Sequence, residues 1–142
     1  MNPYDQYRNV SLTMATPGRL IVRLYDRAIQ DIEGAGEAIR SGDQERTGQL
    51  IDHAQEILSE LLGALDMKAG GEVASSLGGM YLYVIRRILE ANRTSSVSAL
   101  EEVAGLLREV REGWQGISRP EEGPGAQTQG AGPDASTPAR SA

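Results

Sequence analysis

The sequence predicts an all-α protein, an antiparallel up-down-up-down four-helix bundle with a mobile N-terminal arm and a disordered C-terminal tail. Three observations carry this. Apolar residues, mostly Leu, Ile, Val and Ala, recur at three- and four-residue steps in four successive stretches. Short breaks rich in Gly, Ser and Asp separate the stretches, and short connections favour antiparallel neighbours. After residue 117 the periodicity stops, and 118–142 holds four of the six prolines among Gly, Ala, Ser, Thr and Gln. The expected division is 1–15 arm, 16–117 bundle and 118–142 tail.

In the arm, Tyr4, Tyr7, Val10 and Met14 form an apolar series within polar sequence, suited to lying as a loose helix on a groove. Thr16-Pro17 then reads as a helix start, Thr16 as cap and Pro17 as first helical residue. The first helix extends to about Arg40, with Ile21, Tyr25, Ala28, Ile32, Ala35 and Ile39 on one face. Ser41-Gly42-Asp43 supplies a flexible residue and a new cap.

The second helix runs to about Asp66 and carries Leu50, Ile51, Ala54, Ile57, Leu58, Leu61, Leu62 and Leu65. That is more than one core-facing seam requires. Gly70-Gly71 ends the next connection. The third helix then turns Val73, Leu77, Tyr81, Val84, Ile85 and Ile88 inward as far as about Asn92, with Gly78-Gly79 marking a close backbone approach. The fourth starts in the 95–98 cluster, where Ser98 with Glu101 has capping-box spacing and Ser95 or Ser96 is an alternative cap. Its seam is Leu100, Val103, Leu107, Val110, Trp114 and Ile117.

Composition excludes several functions. The net charge of −6 offers no basic field for a phosphate backbone, so nucleic acid and anionic membrane are poor partners. Without cysteine there are no disulfides, thiolate nucleophiles or ordinary zinc sites, in keeping with a reducing cytoplasm. No basic-then-apolar leader and no membrane-length apolar run is present, so a cytoplasmic, soluble protein is expected.

Catalytic readings find little support. His53 is the sole histidine, and a bundle di-metal centre needs Glu-x-x-His on two helices. Histidine phosphotransfer remains an alternative in fold class only: Ala54, Gln55, Glu56 and Ile57 follow His53, without the Lys and Gly usual in those modules. Gly34-Ala35-Gly36 lacks the strand and third glycine of a dinucleotide fingerprint. No catalytic, metal or cofactor residues are assigned.

What stands out is surplus apolar surface: the arm, the second helix, and Met80, Leu82 and Tyr83 beside the third-helix seam. A helix-in-groove binder needs such surface, and a mobile arm is suited to covering it until a partner arrives. The candidate partner-binding residues are Tyr4, Tyr7, Val10, Met14, Leu50, Ile57, Leu61, Met80, Leu82 and Tyr83. Sequence leaves Ile57 and Leu61 open between groove and core. A self-associating bundle that hides the same surface is the other alternative.

The order of segments from about residue 4 to 117 resembles the flagellar export chaperone FliS family. The matching stretches are Met14-Ala15-Thr16-Pro17 with Leu20-Ile21, Leu24-Tyr25-Asp26, Ala54-Gln55-Glu56-Ile57-Leu58, Ala64-Leu65-Asp66, Gly70-Gly71-Glu72-Val73-Ala74, Tyr81-Leu82-Tyr83, Arg86-Arg87, Glu90-Ala91-Asn92, and Glu102-Val103 with Trp114. The resemblance implies a cytoplasmic secretion chaperone, without catalysis or cofactor, that binds the C-terminal segment of flagellin. It implies that this coverage prevents premature polymerisation and aids export, with export gate components as further partners. It also implies an arm that lies over part of the groove and is displaced. A monomer or weak homodimer is expected. Arg27, Leu82 and Ser76 depart from the family pattern on outer faces, where they bear on partner fine specificity.

Overall fold

Two aspartates and two left-handed residues set the helix boundaries. In the structure, a computed structural model describing residues 18–122, the chain forms α1 (Gly18–Arg40), α2 (Gln44–Gly63), α3 (Met67–Thr94) and α4 (Val97–Glu122). Gly42, at φ +76°, lets the chain leave α1. The amides of Gly42 and Asp43 bond back to the carbonyls of Ile39 and Ala38 at 3.0 and 2.8 Å, the double bond of a Schellman end. Asp43 then opens α2 by accepting the Arg46 amide at 3.0 Å.

Asp66 likewise accepts the Ala69 amide at 3.0 Å, so helix resumes at Met67, before the expected Gly70-Gly71 break. Gly71, at φ 54° and ψ −129°, interrupts it with a kink. Ser95 adopts φ 56° to end α3 although it has a Cβ, and Ser96 caps α4 by accepting the Ala99 amide at 3.2 Å. Of the three serines open to that role, Ser96 takes it. Helical backbone persists to Glu122, past the expected end at 117.

α1 packs on α2 and α4, and α3 on the same two from the opposite corner, giving a square of antiparallel neighbours. Ion pairs along the α1–α4 seam record that antiparallel sense: Asp26 with Arg111, Glu33 with Arg108, and Arg40 with Glu101 at 2.8 Å. The α1 members sit seven residues apart, one face every two turns. α1 approaches its neighbours more closely than α3 does. The small Ala28, Ala35, Gly36 and Ala38 are among its buried residues, which lets neighbouring helices come near.

The core is aliphatic, as composition implied. Ile21, Tyr25, Ala28, Ile32 and Ala35 are buried as spaced, and Ile39 is half-buried. Val73 is a correction: it is 45% exposed, and Ala74 and Gly78 take the core positions expected of Val73 and Leu77. The reason lies on α2. A Cβ on Gly78 would stand 3.4 Å from Leu65 Cδ1 and 3.6 Å from Leu62 Cδ1, so those leucines already fill the space a larger residue would need. Gly79 faces open space.

One polar contact crosses the interior diagonally. The Tyr25 and Tyr81 hydroxyls, on α1 and α3, meet at 2.8 Å, with ring centroids 6.1 Å apart edge to face and Trp114 6.5 Å from Tyr25. Each hydroxyl thereby satisfies the other away from water. Burial pushes the Tyr25 phenol up to about 12 and raises Tyr81 as well. The neutral forms are favoured in the fold, so their contribution is complete below the unfolded tyrosine value of about 10 and is lost as pH rises through the folded values. Resistance to urea should therefore fall between pH about 10 and about 12, and Tyr25→Phe should flatten that decline. An identical alkaline decline in wild type and variant would contradict this role.

Candidate functional site

The described site candidates separate into three groups. Leu61 is fully buried and Ile57 is 6% exposed, both within the single core cluster. Of the two options sequence left open for them, both take a core position in the bundle, and on the same helix Leu62 and Leu65 lie against Gly78 of α3. Leu50 is half-buried against α1: a Cβ on Gly34 would lie 3.1 Å from Leu50 Cδ1, so Gly34 makes room for it. The Gly34-Ala35-Gly36 run thus has a packing role.

Met80, Leu82 and Tyr83 remain at the surface of α3. Leu82 is 47% exposed, and Met80 and Tyr83 are half-buried. Tyr83 is tied to α4: its hydroxyl donates to Glu102 Oε2 at 2.5 Å, while Arg87 donates to Glu102 Oε1 at 2.7 and 3.1 Å and to Glu90 at 3.0 Å. The bond to Glu102 raises the Tyr83 phenol, and the bonds from Tyr83 and then Arg87 lower the Glu102 carboxyl. The tyrosine ring is therefore oriented by a charged clamp. Tyr4, Tyr7, Val10 and Met14 lie outside the described residues.

Sequence reading missed much of the open apolar surface. Among the described residues, the large apolar side chains that stay exposed are Leu20 on α1 and Met67, Val73, Leu82 and Leu89 on α3. Leu82 and Leu89 share one face of α3, roughly 10.5 Å apart along its axis, whereas Val73, nine residues before Leu82, lies on the opposite side. The signal for Leu89 was present, since it lies seven residues after Leu82 and returns to nearly the same face. An exposed apolar strip of this kind has the chemistry that helix-in-groove docking uses.

A second concavity lies between α1 and α4, with a volume of about 560 Å³. Ile32, Gly36, Val97, Leu100 and Ala104 line it, and the pairs Arg40–Glu101 and Glu33–Arg108 stand at its rim. His53 is occupied elsewhere: its Nδ1 meets the carboxylate of buried Asp31 on α1. Among the described residues no helix is long and apolar enough to cross a membrane.

A family model described as Flagellar protein FliS matches residues 1–121 of this chain. The chain belongs to the FliS family. The FliS match covers α1, α2 and α3 whole and nearly all of α4. The Flagellar secretion chaperone FliS of Bacillus subtilis (strain 168) is 36% identical over 114 residues, 80% of this chain and 84% of its own. FliSB of Pseudomonas aeruginosa, also a flagellar secretion chaperone, is 38% identical over 122 residues, 83% of this chain and 97% of its own. The FliS of Salmonella typhimurium (strain LT2) is 39% identical over 105 residues, 73% and 78% of the two chains. FliS proteins are chaperones, and this member of the family is not an enzyme.

Proposed function

We propose that this FliS-family chain works in the cytoplasm, where it binds the C-terminal segment of flagellin, prevents its premature polymerisation and aids its export for flagellum assembly. The observation that carries the reading is the unburied apolar line of Leu82 and Leu89, seven residues apart on one face of α3, which stay 47% and 40% exposed beside a filled core. A folded domain has no stability to gain from that line until a partner covers it. Membership in a family of flagellar secretion chaperones supplies the class of partner. Met80 and Tyr83 extend the surface toward α4, and Leu50, packed against α1, is a separate candidate contact.

Residues 1–15 act as a separate arm in this proposal. Tyr4, Tyr7, Val10 and Met14 cover part of the apolar surface and are displaced by the guest, and the bundle runs from 16 to the end of α4 at Glu122 rather than to 117, with the tail following it. The loaded complex is a monomeric chaperone with one flagellin segment, presented to export gate components. Calorimetric titration with a synthetic flagellin C-terminal peptide tests the binding step. Stoichiometric heat with a negative heat-capacity change and a gain of helicity is expected. Heat no different from dilution, with both components intact, would remove the reading.

A further inference from the structure

α3 carries a second pattern beyond its apolar line, and it concerns charge. Steps of four, three and four join Leu82, Arg86, Leu89 and Arg93 on the outward face of the helix. All four are exposed. Arg87 on the same helix, and Arg40, Arg108 and Arg111 elsewhere, each hold a carboxylate. Arg86 and Arg93 hold none among the described residues. Asp43, across a shallow pocket from Arg93, has its carboxylate engaged in capping α2.

The spacing is that of one half of a coiled coil. Leu82 and Leu89 fall seven residues apart at one seam position, half-buried Ile85 supplies the position between them, and Arg86 and Arg93 flank the seam, also seven apart. Seven residues correspond to roughly 10.5 Å along the axis. We infer that this face docks an amphipathic helix of a partner protein whose apolar seam is flanked by carboxylates about one heptad apart. The two arginines choose the occupant. A second copy of this chain meeting the same face would set arginine against arginine, whereas a guest carrying Glu or Asp at the facing positions pairs with both. In a chain whose overall balance is −6, two exposed arginines without a carboxylate still offer a local positive site to an acidic guest. The seam is defined by charge and register, so it stands whether or not flagellin is the guest.

The probe is a pair of fluorescein-labelled peptides of about 21 residues, three heptads with leucine seams, one with Glu and one with Lys at the flanking positions. Each is titrated with the full chain and followed by anisotropy. The Glu peptide should bind about tenfold more tightly than its Lys twin at about 50 mM salt, with the gap narrowing at about 500 mM. The R86E/R93E double variant should invert the preference while keeping the wild-type circular dichroism and melting curve, since both positions are exposed. Equal binding of the two peptides, no binding of either to the wild type, or an unchanged preference in a folded R86E/R93E protein would overturn the inference.

Discussion

Leu61→Ala should lower the unfolding free energy by about 2–5 kcal/mol, the largest stability loss among the candidate side chains. Leu61 is wholly excluded from water, sits in the same cluster as Ile57 and Leu58, and has no outward face to lose. The bundle cannot collapse around the deletion easily, because its interior is enclosed by helices held at both ends by capped, short connections. For a domain of this size the melting temperature should fall by at least about 8 °C. Binding of a flagellin peptide per folded molecule should be little changed at a temperature where the variant remains folded. Calorimetric melting paired with titration separates the two roles. A loss below about 1 kcal/mol with abolished binding would put this side chain in contact with the guest instead.

The physical origin of that assignment shows how far sequence reaches. The α1 seam was legible because Ile21, Tyr25, Ala28, Ile32 and Ala35 alternate without interruption, and every one is buried. The Gly42 turn and Asp43 cap were equally plain, since local chemistry alone determines them. α3 was misread at its start because periodicity ranks apolar residues by size. Val73 and Leu77 outrank Ala74 and Gly78 in greasiness, yet the space available was set by Leu62 and Leu65 on another helix. The same swap explains the candidate site. Leucines counted as surplus on α2 are consumed by the small residues of α3, and the surplus reappears on the outside of α3. That Met80, Leu82 and Tyr83 stay at the surface was legible because they flank the seam, while the exposure of Leu89 was legible only through its seven-residue spacing from Leu82.

Other features depended on partners that no local pattern names. Asp26, Glu33 and Arg40 repeat every seven residues and are readable as one face. That Arg111, Arg108 and Glu101 answer them requires knowing that α4 runs antiparallel beside α1. Ser95 in a left-handed conformation is similarly hidden, because the residue expected there is glycine. It is held by the Ser96 amide bonding to the Ala91 carbonyl at 3.0 Å and by the immediate start of α4.

Replacing Leu82 and Leu89 together by asparagine should weaken flagellin-peptide binding by about 100-fold while leaving stability within about 1 kcal/mol. The two side chains are 47% and 40% exposed, so each has roughly half its apolar surface still to bury. Complete burial of a leucine is worth about 1.5–3 kcal/mol, and half of that for two leucines gives about 1.5–3 kcal/mol of binding. Placing two amides under the guest without partners adds about 1 kcal/mol or more each. A hundredfold loss, about 2.7 kcal/mol, is therefore a conservative figure. Asparagine is chosen over aspartate so that Arg86 and Arg93 gain no neighbouring charge and the effect reports apolar contact alone. The folded state loses little because its core does not depend on either residue. Affinity unchanged in the double variant, with wild-type binding intact, would move the guest off this helix and make the α1–α4 concavity the next surface to substitute.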